Sequence, residues 1–177
     1  MKRIALIVGH NEKSKGAFCP HAQACEFDYW KDIASEIQLI TGVDVFTRRP
    51  HKSYSTEMKE VIEQVHCSGE YDLVIELHFN AVSDPEVHGA EILIYKNSKC
   101  LELAKTLLNS ICQEFKVKNR GLKRIKSVAE RGGFGIIRCK YPYMLVEPFF
   151  ASNENDSEKF ANKDKVVKFF VDFIQNL

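Results

Sequence analysis

Short apolar runs of strand length alternate along this chain with stretches whose apolar residues recur at helical spacing, and that alternation narrows the fold more than any other feature. Ile4–Val8 is an unbroken apolar run, as expected of a strand covered on both faces. Val43–Thr47, Leu73–Phe79, Ala90–Tyr95, Phe134–Arg138 and Tyr143–Phe149 read as further strands. Between them lie helical stripes. Phe27, Trp30, Ala34, Ile37 and Ile40 form one, stopped by Gly42; Met58, Val61, Ile62 and Val65 form a second, closed by Gly69. A third, Leu101, Ala104, Leu108, Ile111 and Phe115, follows Ser98 as its cap, and a last, from Val166 to Ile174, follows Asn162. Residues 116–133 are basic and Gly-containing and are expected to be mostly irregular. The pattern predicts an α/β fold: a single twisted, mainly parallel sheet of about six strands with helices on both faces.

Size and charge limit what such a fold can do. At 177 residues the chain suits one domain spanning 1–177, with no separate binding module expected. A net charge of +1 argues against nucleic acid as a partner, and the basic stretch Lys116–Lys126 lacks the aromatic residues that stack on bases. No run approaches the ~20 apolar residues of a membrane span, so no membrane insertion is expected. Ile4–Val8 is too short for a signal peptide, so synthesis in the cytoplasm without one is expected. The six cysteines form no CxxC pair and are expected to be reduced, mostly buried small hydrophobes.

In a mainly parallel α/β sheet, ligands sit outside the carboxyl ends of the strands. His10 ends the first strand, His78 lies near the end of the LVIELHF run and Asn80 follows it, with His78 on the same side as Glu76 by the two-residue period. Glu147 interrupts MLVEPFF, a costly place for a carboxylate unless it is paired, protonated or near a metal. Two imidazoles and carboxylates gathered in a cleft point first to zinc, which accepts nitrogen and oxygen ligands and in catalytic sites keeps one position open.

These residues stand in segments that resemble the zinc-dependent N-acetylmuramoyl-L-alanine amidases, the catalytic domains of cell-wall amidases and phage endolysins. The segments are IALIVGH, CEFDYWKDIASEI, ELHFNA, GAEILIY and LVEPFFASNEND, in that order. The resemblance implies one Zn²⁺ per chain held by His10, Glu26 and His78, with Glu147 as the catalytic carboxylate. It implies hydrolysis of the amide joining N-acetylmuramic acid to L-alanine in peptidoglycan. Asn80, Arg120 and Arg138 are the expected substrate contacts. The loop NEKSKGAFCPHAQAC departs from the family's Gly-rich form and brings in His21 as a rival ligand to Glu26. Phe79 is bulkier than the usual residue and is expected to narrow the cleft.

Two other readings of the same residues remain open at this point. A glycosidase would pair carboxylates such as Glu76 and Glu147. A peptidoglycan-binding or regulatory module would keep the fold without the metal. For an enzyme acting on the wall, a phage endolysin released through holin lesions, or a bacterial autolysin, fits the expected lack of an export signal.

Overall fold

The computed structural model describes residues 2–177. In chain order the elements are β1 (Ile4–Val8), β2 (Phe18–Cys19), β3 (Ala24–Cys25), α1 (Glu26–Thr41), β4 (Asp44–Thr47), α2 (Tyr54–Cys67), β5 (Leu73–Leu77), β6 (Ala90–Tyr95), α3 (Leu101–Phe115), β7 (Asn119–Ile125), α4 (Gly133–Arg138), β8 (Tyr143–Glu147), α5 (Glu154–Lys159) and α6 (Lys163–Gln175). The central sheet has six strands in the order β4-β1-β5-β8-β6-β7. β4, β1, β5 and β8 run parallel; β6 is antiparallel to β8, and β7 is parallel to β6.

Burial follows from the runs of apolar residues. Every residue of β1, β5 and β8 is buried, because both faces of the sheet are covered. One face carries Leu6, Val8, Ile75, Leu77 and Val146 against α1, α3 and α6, with Trp30, Ile111 and Phe170 among the residues packed there. The other carries Ala5, Ile7, Val74 and Leu145 against Met58, Val61 and Val65 of α2 and Ile136 of α4. Helix ends obey local chemistry. The side chains of Ser53 and Asn162 accept hydrogen bonds from Thr56 N–H and Lys165 N–H, and Gly42 ends α1 at φ 74°. α3 is capped at Cys100, with Ser98 Oγ accepting from Cys100 N–H.

Two expectations are corrected. Residues 119–125 form β7, an edge strand; its Lys and Arg residues protect an exposed edge and hide the apolar alternation. Phe134–Arg138 belongs to the short helix α4, since an apolar run this brief does not distinguish strand from helix. The helix is pressed close: a Cβ at Gly135 would lie 2.4 Å from Tyr143 Oη. The short helix α5 and the β2–β3 hairpin were not anticipated. All six cysteines are free, but against expectation only Cys19 and Cys100 are buried; Cys67 is exposed, and the rest are half-buried. No helix among the described residues is long and apolar enough to cross a membrane.

Candidate functional site

His10 follows β1 in the left-handed conformation, φ 64°, an uncommon choice for a side chain with a Cβ. Gly9 before it is tightly held: a Cβ there would lie 2.4 Å from His78 Cε1. His78 follows β5, and Glu26 opens α1, where an acidic group suits the helix N-terminus. The three side chains converge, with one ligand atom from each lying within 4.8 Å of the others. Glu26 Oε2 lies 3.1 Å from His10 Nε2, and Glu26 Oε1 lies 2.8 Å from His78 Nδ1. Phe79 N–H also donates to Glu26 Oε1, at 3.0 Å.

The far ring nitrogen of His78 lies 3.1 Å from Glu76 Oε1, and Tyr143 Oη donates to Glu76 Oε2 at 2.7 Å. Such an outer carboxylate fixes which imidazole nitrogen is free to bind a metal. The donor set, two imidazoles and one carboxylate at these separations, fits a tetrahedral zinc site with one position left over. Burial disfavours ionised Glu26, yet hydrogen bonds to His10 and His78 outweigh it and hold the carboxyl at about 2. Burial likewise opposes charge on His78, but Glu26 and Glu76 raise its pKa to about 10. Without a metal, a proton therefore occupies this cluster.

Glu147 ends β8 and lines the same cleft of about 870 Å³. Burial pushes its carboxyl up to about 7, against the opposing pull of His78 and Arg131. Arg131 Nη1 lies 3.6 Å from Glu147 Oε1 and donates to Asn80 Oδ1 at 2.7 Å, while its other terminal nitrogen pairs with Glu91. Asn80 lines the cleft and donates to Glu91 at 3.2 Å.

Other expected residues sit elsewhere. His21 pairs with Ser157 Oγ at 2.7 Å and lies outside the ligand cluster; Glu26 occupies the place beside His10 and His78. Arg120 supports Glu91 at 3.0 Å and stacks on Phe150, without lining the cleft. Arg138 stands in the last turn of α4, also away from the cleft lining. Phe79 is 3% exposed and packs on Tyr29 and Phe149, and its exposed edge lines the cleft beside His78 and Asn80. Glu76 is fully buried and occupied by His78 and Tyr143, which removes it as one of two accessible glycosidase carboxylates.

Sequence reasoning passed over Glu91, Arg131 and Arg48. Glu91 escaped because β6 is reversed, bringing an amino end to the rim where only carboxyl ends had been sought. Arg131 lies in a loop with no periodic signal. Arg48 follows β4 directly, and the strand-end criterion applied there would have found it.

Residues 4–175 match the profile of the family described as N-acetylmuramoyl-L-alanine amidase. No curated protein matches by sequence. Among solved structures, the chain is similar to Cwp6 from Clostridium difficile, with 24% identity, a TM-score of 0.78, and 99% of this chain covered. The alignment spans 29% of the length of that protein. It is also similar to the catalytic domain of an endolysin targeting Clostridia difficile, at 27% identity and a TM-score of 0.70, covering 99% and 98% of the two chains. An N-acetylmuramoyl-L-alanine amidase from Clostridium difficile 630 shares the fold at 18% identity and a TM-score of 0.75, covering 99% and 95% of the two chains.

Proposed function

Because this chain belongs to the N-acetylmuramoyl-L-alanine amidase family, we propose that it uses one zinc ion to hydrolyse the amide between N-acetylmuramic acid and L-alanine in peptidoglycan. The observation that carries this reading is the convergence of His10, Glu26 and His78 beside a buried, weakly acidic Glu147 in one cleft. His10 Nε2, a Glu26 carboxylate oxygen and His78 Nδ1 would hold the ion, with Glu76 orienting the His78 ring. When bound, zinc supplies Lewis-acid polarisation and a lowered pKa for water at the site.

The chain's own residues handle the proton. Glu147, poised near neutrality, takes a proton from the attacking water as its oxygen bonds to the scissile carbonyl carbon. As the carbon–nitrogen bond breaks, Glu147 returns that proton to the departing alanine amine. A cation held by the neighbouring ligands favours ionised Glu147, which readies it as the base. Arg131 and Asn80 line the same cleft and brace this end of the site.

Residues 1–177 would form one catalytic domain, acting on the wall as a phage endolysin or a bacterial autolysin; likeness to an endolysin catalytic domain supports the first. Incubation with purified sacculi tests the chemistry. Release of free alanine amines, abolished by exhaustive chelation and restored by zinc, is expected. Undiminished release after chelation refutes the metal role, and new reducing sugar ends in place of amines refute the amidase.

A further inference from the structure

Arg48 lies at the carboxyl end of β4, lines the cleft, and is only 5% exposed. Its Nε donates to the His10 carbonyl at 3.1 Å, one terminal nitrogen faces Met58 Sδ at 3.6 Å, and the guanidinium lies 5.2 Å from the centre of the Tyr54 ring. A thioether is a weak acceptor. Among the described residues, no carboxylate forms an ion pair with Arg48, although a buried cation normally has one. The carboxylates of the neighbouring α2 and β5 make their hydrogen bonds to other groups, although the Arg48 charge reaches Glu76. Glu57 of α2 accepts from His51 N–H at 3.2 Å, and Glu76 of β5 is taken by His78 and Tyr143.

A guanidinium carries five N–H donors, and these contacts use few of them. Trp30 Nε1 is the one fully enclosed, unpartnered side-chain polar atom among the described residues, so the second terminal nitrogen of Arg48 is not fully enclosed, and Arg48 lines the cleft. Arg131 contrasts with it. That guanidinium is compensated by Glu91 and Glu147 and leaves little positive charge for a ligand. The two guanidiniums in the cleft therefore differ: Arg131 is directly ion-paired, whereas Arg48 has no carboxylate within ion-pair distance, Glu76 and Glu57 lying farther off.

We propose that Arg48 is the subsite for a carboxylate of the stem peptide, the free α-carboxylate of the acidic residue that follows L-alanine, and that it fixes the direction in which the substrate lies. This rests on the amidase reading above. The muramoyl side of the scissile amide is neutral, and so is alanine. The next unit of the stem is a glutamyl residue linked through its side-chain carboxyl, so its α-carboxyl is either free or blocked as an amide. Arg48 lines the same cleft as His10, Glu26, His78 and Glu147 and holds the His10 carbonyl, so the guanidinium stands beside the place where the scissile amide would lie. The peptide then runs toward Arg48 and Tyr54, and the sugar toward Asn80 and Arg131.

Two synthetic substrates test this with zinc-loaded protein: muramoyl-L-alanyl-D-glutamate with a free α-carboxylate, and the same compound with that group amidated. The wild type is expected to show a kcat/KM about tenfold or more higher on the acid, the scale of one charge-assisted contact. R48Q should bring the ratio near unity, while R48K keeps part of it. Chelator competition should give R48Q a zinc affinity close to wild type, separating a substrate role from support of His10. Equal rates on the two substrates, a preference for the amide, or an R48Q loss equal on both would overturn the proposal. If neither compound is cleaved and sacculi also release no alanine amines, the amidase reading fails. Calorimetry with the two dipeptides, L-alanyl-D-glutamate and its α-amide, then decides the subsite separately: tighter binding of the acid by wild type but not R48Q supports it, and equal affinities overturn it.

Discussion

Glu147 and Glu91 stand opposite each other across the antiparallel β6–β8 pair, and the Arg131 guanidinium is shared between their carboxylates. Burial acts on both, with different results. Arg131 and Arg120 outweigh it at Glu91 and hold that carboxyl below the usual range. Glu147 has the more distant share of Arg131 and is left at about 7. A carboxyl held ionised and one held near neutrality thus occupy adjacent strands, separated by environment alone.

Arg131→Ala should move the acid limb of the kcat/KM profile to higher pH. The guanidinium favours ionised Glu147, so its loss raises the carboxyl further. Rates on a muramoyl peptide between pH 5 and 9, with zinc content checked at each point, measure the shift.

Glu147→Gln should retain zinc and lose turnover by roughly 10²–10⁴-fold, the range for a general acid–base group. It should also stabilise the metal-free protein at neutral pH. A raised folded-state pKa means that stability present below the ordinary 4.5 is lost as pH rises toward about 7, and glutamine has no such loss. Urea unfolding of both proteins at pH 5 and 8 reads the difference.

The metal-free protein should weaken in alkali. His78 has its pKa raised to about 10, so its contribution is complete below 6.5 and fades as pH climbs through 10. Glu26, lowered to about 2, contributes above 4.5 and fades as pH falls toward 2. Zinc must displace the shared proton, so its affinity should rise with pH and binding should release protons. Melting temperatures with and without zinc from pH 6 to 10, and calorimetry in two buffers, test both.

Gly9→Ala should injure the site without touching a ligand. The added methyl carbon would sit 2.4 Å from His78 Cε1 and 2.6 Å from the Leu77 carbonyl oxygen, and backbone cannot easily yield. A loss of about 1–3 kcal/mol in unfolding free energy and a weaker zinc affinity are expected. Denaturant titration and chelator competition are the measurements.

Much of this was legible before any coordinates. The strands from Ile4, Leu73, Ala90 and Tyr143 announce themselves because both faces of the sheet are covered, and His10, His78 and Glu147 stand out as polar residues at the ends of apolar runs. Glu26 came from resemblance, since a helix-opening glutamate has ordinary uses at a helix start. β7 stayed hidden because an edge strand is free to be basic, and α4 because six residues carry too little periodicity. Glu91 and Arg131 depend on strand direction and loop path, which are properties of the assembled sheet and not of any local segment. The left-handed backbone at His10 likewise had no local signal, since histidine is not the residue that such a conformation favours.

The placement of the His78 ring has a mechanical side. One of its nitrogens meets Glu26 at the head of α1, and the other meets Glu76, whose partner Tyr143 presses on α4 across the sheet. The imidazole is a crossbar joining the two helical layers at the rim of the sheet. Filling the site tightens both ends of that bar at once, so backbone amides in α1 and α4 should slow their hydrogen exchange together. The sheet rim is braced at the proposed metal site, and removing a bound ion should loosen the two sides in concert.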